Sequence, residues 1–279
     1  MKHLTFILFS ILIFKQCSSL DIHIKISEFY QEEFWLKEIT DSRYKGRKTG
    51  THECAQIGNY IISELEKMGY SPTEQRFMFK DSISMRNIIV ELPGRTDSVI
   101  VIGAHYDGAI TSSQYQGALD NGSGIITLLS ICQKLVDQTP NHKVLCCFWD
   151  GEEYTTSSAY NGSTYFVKNY RDLSLVREYI NLDCFGGTED VIKLFYSVDK
   201  EDVAQFYKNR YITDFEVLCT ERFSYSSDFV SFYNSGISFW GWNDLTKPDL
   251  HKYSDTIDKV SFQKIRFVSR FTRDYIINK

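Results

Sequence analysis

Proline is scarce in this chain, at four residues in 279, and Lys and Arg nowhere gather into a stripe; the net charge is −5. Little proline beside abundant tyrosine and phenylalanine excludes a disordered chain. An acidic balance without a basic patch argues against non-specific nucleic-acid binding. Beyond the first twenty positions, Cys54, Cys132, Cys146, Cys147, Cys184 and Cys219 include no C-x-x-C pair, so a zinc site built from paired thiolates is not expected. The most apolar stretch, residues 4–14, is too short for a membrane-spanning helix. It follows Lys2 and His3 and precedes Lys15-Gln-Cys17-Ser-Ser, the layout of a secretory signal peptide with cleavage near Ser18 or Ser19. Residues 1–19 are thus expected to be a signal peptide and 20–279 a single domain, exported to the periplasm or the medium. Lipidation at Cys17, which would anchor the chain to a membrane, is the alternative.

Residues 27–42 carry Phe29, Tyr30, Phe34, Trp35 and Ile39 at helical spacing. A second helix runs through Ile57, Tyr60, Ile61, Leu65 and Met68 and stops at Gly69. Strands are predicted near 74–80, 86–92 and 98–105, then a buried helix from Ile125, a strand over 143–148 and a helix over 162–170. Strands at 179–182, 191–196 and 237–242, with helices over 200–211 and 262–277, continue the alternation. That order predicts an α/β fold, one sheet with helices on both faces. No repeat, low-complexity tract or linker divides it.

Chemistry gathers where apolar runs stop. The run Val99-Ile-Val-Ile102-Gly-Ala ends at His105 with Asp107 two residues on, as a buried strand that delivers an imidazole at its end would read. Asp120 precedes Asn121-Gly-Ser-Gly124 and either caps a helix or offers two oxygens to cations. Glu152 and Glu153 follow the apolar 144–149; neighbouring side chains there diverge, so that one can ligate a metal while the other faces a water. Asp183 closes Tyr179-Ile-Asn-Leu182, either as a turn residue or as a ligand, and His251 is followed by Asp255. Asp107 and Asp255 are placed to accept the second ring N–H of the two histidines and fix their tautomers. Imidazoles and carboxylates converging from several strand ends make a metal site, with two ions expected. His23 and His142 lie in exposed contexts and His52 opens a helix, so none of these is expected to act.

In order along the chain stand Gly46-Arg-Lys-Thr-Gly50, Gly-Ala-His105-Tyr-Asp107, Ala-Leu-Asp120-Asn-Gly-Ser-Gly, Asp-Gly-Glu152-Glu153, Asn-Leu-Asp183, Ser227-Asp228 and His251-x-x-x-Asp255-Thr. Over about residues 40–270 this series resembles the di-zinc aminopeptidases of the bacterial leucyl aminopeptidase type, whose superfamily includes the glutaminyl cyclases. The resemblance implies a zinc exopeptidase-like fold with a mixed central β-sheet. It implies one zinc on Asp120, Glu153 and His251, and a second on His105, Asp183 and the bridging Asp120. Glu152 becomes the general base, with Asp107, Asp228 and Asp255 behind the ligands. Such a site hydrolyses N-terminal bonds of peptides with a free N-terminus, using a metal-activated water shared by cations about 3.5–4 Å apart.

Two features depart from that family. The segment from Glu153 to Gly162-Ser163 is longer than in typical aminopeptidases and is similar to that of glutaminyl cyclases, and Phe229 stands where a histidine often follows the aspartate. The alternative is therefore a single-zinc cyclase that closes N-terminal glutamine to pyroglutamate. Tyr225, Trp240 and Trp242, aromatic and near the site segments, are expected to line a substrate pocket.

Overall fold

A computed structural model of the chain describes residues 31–80, 82–154, 160–221, 226–244 and 249–279. The signal peptide expected over 1–19, with Cys17, and the pocket residue Tyr225 lie outside the described residues. Residues 31–39 are helical (α1). Along the chain follow α2 (His52–Lys67), β1 (Thr73–Phe79), β2 (Ile83–Leu92), β3 (Thr96–His105), α3 (Ser123–Leu135), β4 (His142–Trp149), α4 (Asn161–Asn169) and β5 (Val176–Leu182). After these come β6 (Val191–Tyr196), α5 (Glu201–Arg210), β7 (Glu216–Thr220), α6 (Phe229–Tyr233), β8 (Phe239–Asn243) and α7 (Phe262–Ile277).

The strands make one mixed sheet in the order β1-β2-β4-β3-β5-β8-β6-β7. Its centre is parallel, with β3 beside β4 and β5, and β5 beside β8. Antiparallel pairs flank that centre, β2 on β4 and β6 on β8. Because β3 and β4 are covered on both faces, they read as nearly unbroken apolar runs over 99–104 and 144–149, and their alternate residues sort into two cores. Ile100, Ile102 and Ala104 of β3 and Val144, Cys146 and Phe148 of β4 meet α1, α2, α3 and α7 on one face. Val99 and Val101, with Leu145, Cys147 and Trp149, meet α4 and α6 on the other.

Local signals set the helix ends. Thr51 caps α2 by accepting the Cys54 N–H at 3.2 Å, Ile57, Ile61 and Leu65 form its buried stripe, and Gly69 at φ +91° ends it. Two elements had no forecast in the sequence. The five-residue edge strand β7 is half-exposed and has only the short apolar run Val217-Leu-Cys219, and α6 is only five residues long.

The expected pocket role of Trp240 and Trp242 is corrected. Period-two alternation on β8 turns both indoles to the α7 face, where each is 0% exposed. Trp240 packs edge-on against Tyr275 at 4.8 Å and donates its indole N–H to Glu178 at 3.1 Å; Trp242 packs against Phe271 at 5.1 Å. They are core residues.

Candidate metal centre

The parallel strands β3, β4 and β5 stop side by side: His105 is in register with Trp149, and Gly103 with Asn181. Ligands in open α/β sheets bind beyond such carboxyl ends. His105 is the last residue of β3, Glu152 and Glu153 follow β4, and Asp183 follows β5. Asp120 enters on the wide turn Ala118–Gly122 that leads into α3, and its peptide bond to Asn121 is cis. His251 comes from the connection after β8.

Asp120 is the hub. Its Oδ1 lies 3.3 Å from His105 Nε2 and its Oδ2 lies 3.1 Å from His251 Nε2. His105 Nε2 is also 3.3 Å from Asp183 Oδ1, and His251 Nε2 is 3.0 Å from Glu153 Oε2. The structure thus gathers His105, Asp120, Glu153, Asp183 and His251 into one cluster. Among the described residues, three donor groups at and around it have ligand atoms within 4.8 Å of one another: His105 with Glu152 and Asp183, His105 with Asp120 and Glu153, and Asp120 with Asp183 and Cys184. Cys184 was not foreseen as a member.

Charge in the cluster is one-sided. Burial holds the Glu153 carboxyl up to about 8, with the Asp120 charge adding to it. Burial also raises Glu152 well above the ordinary glutamate value; His105 opposes this, while Glu153, Asp183 and Asp228 reinforce it. Contacts with Asp120 and Glu153 push His251 up to about 10. Burial pulls His105 down, but Glu152 and the contacts with Asp107, Asp120 and Asp183 reverse that and lift it well above the usual imidazole value. Among the described residues, Glu153 Oε1 and Asp228 Oδ1 are buried with no hydrogen-bond partner. A site this rich in acid, with acceptors left over, calls for positive charge, and imidazole with carboxylate is a donor set that suits zinc.

The residues behind the cluster hold it in place. Asp107 faces His105 Nδ1, which is 3.3 Å from its carbonyl oxygen and 3.5 Å from its Oδ1. Its carboxylate also accepts the backbone N–H of Glu152 at 3.1 Å and of Glu153 at 3.0 Å, and the Thr49 hydroxyl at 2.8 Å. One buried acid therefore aims three site residues. Asp255 differs from expectation. Its two oxygens accept the N–H groups of Leu119 at 2.7 Å and Asp120 at 3.0 Å, so it supports Asp120 from below rather than orienting the His251 ring. Asp228 is buried beside the cluster, where burial and the nearby Asp183 and Asp107 charges push its carboxyl up to about 7 against the pull of His105 and Ser163.

Arg47, which in the sequence stands out only as part of a glycine-flanked motif, is 1% exposed and braces the Asp120 turn. Its guanidinium donates to the carbonyls of Tyr106 (3.0 Å), Gln116 (2.6 Å), Gly117 (2.7 Å) and Asp120 (3.1 Å). Gly117 has φ +55°, and a Cβ there would stand 2.8 Å from that guanidinium and 2.6 Å from the Asp120 carbonyl oxygen, so only glycine leaves room. A charged residue between glycines is a sequence signal; the partners, some seventy positions on, are not.

Known proteins share both sequence and fold with this chain. The family model described as "Peptidase family M28" matches residues 87–276. Aminopeptidase Y of Saccharomyces cerevisiae is 25% identical over 196 residues, 67% of this chain and 35% of that protein. The chain spans about a third, or less, of the length of the curated relatives it matches. Among solved structures, the Fimbriiglobus ruber glutaminyl cyclase superposes with a TM-score of 0.73 at 17% identity, covering 89% of this chain and 94% of that one. A zinc aminopeptidase of Bacillus subtilis superposes with a TM-score of 0.74 at 14% identity, covering 88% and 93%. No described helix is long and apolar enough to cross a membrane.

Proposed function

The chain belongs to peptidase family M28, and from that premise we propose that it is a zinc-dependent aminopeptidase acting on peptides with a free N-terminus. The observation that carries the reading is Asp120, whose two oxygens each face the Nε2 of a different histidine, at 3.3 and 3.1 Å. Asp120, Glu153 and His251 would hold one ion, and His105, Asp183 and the same Asp120 a second. Zinc bound there supplies Lewis-acid polarisation of a carbonyl oxygen and makes water more acidic.

The rest falls to the chain. Glu152, half-buried and with its pKa raised, takes the proton of the attacking water and returns it to the leaving amine. Asp107 fixes the direction of Glu152 and Glu153 through their backbone N–H groups. The carboxylates around the centre favour an amine end over a blocked one. Export through a signal peptide over 1–19 accompanies this reading as a proposal from the sequence.

The test is release of N-terminal residues from a broad peptide panel by zinc-loaded protein. Release that disappears in Glu152→Gln with ion content unchanged supports the reading. No release from any peptide overturns it. The long segment between Glu153 and Gly162 keeps a glutaminyl cyclase as the second reading. Ammonia release from a glutaminyl peptide, with one zinc per chain and no hydrolysis, would select it.

A further inference from the structure

We propose that Cys184 is a donor to an ion held at Asp120 and Asp183, so that one position of the centre carries a thiolate; this rests on the metal-centre reading above. A buried cysteine is by default an inert packing residue, and Cys132, Cys146 and Cys147 are of that kind, packed inside the two cores. Cys184 differs in its company. Its Sγ and one carboxylate oxygen each from Asp120 and Asp183 all lie within 4.8 Å of one another, the spacing of donors around a single ion.

The residue is held there from both sides. Its N–H donates to Asn121 Oδ1 at 3.4 Å and its carbonyl accepts the Asp244 N–H at 2.9 Å, with φ at +53°. Asn121 Nδ2 also donates to the Leu182 carbonyl at 2.9 Å, so a single side chain ties the residue after Asp120 to the strand end that carries Asp183 and Cys184. An independent sign that a cation belongs in this cluster comes from Glu153 Oε1 and Asp228 Oδ1. Both side chains are at least nine-tenths buried, and neither atom has a hydrogen-bond partner among the described residues.

On binding, the S–H bond breaks, the S–metal bond forms and the proton leaves to solvent, with no change of oxidation state. A sulfur donor biases the position towards zinc, cobalt or cadmium and away from magnesium or manganese.

Cobalt(II) loading of the full chain tests the proposal. Visible ligand-field absorption reports bound cobalt, and near-ultraviolet thiolate-to-cobalt charge transfer reports sulfur ligation. The expected result is that wild type and Cys219→Ser show both, while Cys184→Ser keeps the visible bands and loses the near-ultraviolet one. Equal near-ultraviolet absorption in wild type and Cys184→Ser overturns the proposal and leaves the metal-centre reading standing. Absence of visible bands in the wild type overturns both. Should Cys184→Ser not fold, cadmium-113 resonance of the wild type decides: a shift in the sulfur-ligated range supports the proposal, and one in the oxygen and nitrogen range overturns it.

Discussion

Replacing Arg47 by Met removes the guanidinium and keeps most of the side-chain bulk. Four backbone carbonyls, those of Tyr106, Gln116, Gly117 and Asp120, lose their donor at once. Hydrogen bonds from a charged group contribute roughly 1.5–3 kcal/mol each, and a buried orphaned carbonyl costs about 1–3 kcal/mol. These do not add, because the four share one donor group and the Gln116 bond is only part-buried. The three buried carbonyls, those of Tyr106, Gly117 and Asp120, at about 1–3 kcal/mol each with a shared donor, put the expected loss at about 3–5 kcal/mol. For a chain of this size that corresponds to a fall in Tm of roughly 6–20 °C. Arg47→Lys keeps the charge but has three donors and no planar fork, so it should recover only part of the loss. Urea unfolding in the presence of a chelator measures the stability term without help from bound ions. A zinc titration then measures how far the loosened Asp120 turn weakens ion binding. Arg47→Met within about 1 kcal/mol of wild type, with unchanged zinc affinity, would refute the bracing role.

Glu152→Gln should lower turnover by about a hundredfold or more while leaving the ion count unchanged, as read by steady-state kinetics and elemental analysis. Thr49→Val removes the hydroxyl that donates to Asp107 at 2.8 Å and lies 3.1 Å from Asp150 Oδ1, and should cost about 1–3 kcal/mol in urea unfolding. Burial and the Asp107 charge push Asp150 up to about 7 from 3.8, so the folded state holds a proton that the unfolded chain releases. The stability this supplies is present below about pH 4 and lost as the pH rises through about 7, by at most about 1.4 kcal/mol per unit. In chelator, Asp150→Asn should therefore gain on wild type between pH 5 and pH 8, and a constant difference would contradict the assignment. Chelation should lower the Tm of the wild type and zinc should restore it in a concentration-dependent manner, because an ion that binds only the folded cluster stabilises it by mass action.

Much of the cluster was legible because burial on both faces leaves the second half of β3 and most of β4 apolar up to their ends. His105 after Val99–Ala104 and the glutamates after Trp149 stand out for that reason, and parallel pairing brings those ends beside that of β5 with Asp183. What stayed hidden depends on contacts across long sequence separations. Asp255 reaches back 136 positions to the Leu119 N–H, and nothing in the spacing of His251 and Asp255 distinguishes that from a bond to the imidazole. Arg47 is the same case, a charge whose partners are backbone carbonyls that carry no residue identity. Trp240 and Trp242 failed as pocket residues because closeness in sequence to a site segment does not say which face of β8 they take; the alternation of the strand does, once the helix on each face is known. Cys184 carries no signal in the sequence, because no second cysteine stands at C-x-x-C spacing from it; only the fold sets its sulfur beside the Asp120 and Asp183 carboxylates.

The proposed centre turns on Asp120 as the carboxylate shared between two ions. Diffraction from zinc-loaded crystals, with anomalous maps above and below the zinc edge, tests that directly. Two peaks flanking the Asp120 carboxylate are predicted, one between Glu153 and His251 and one between His105 and Asp183. A single peak, or peaks that leave one Asp120 oxygen without an ion, would contradict it.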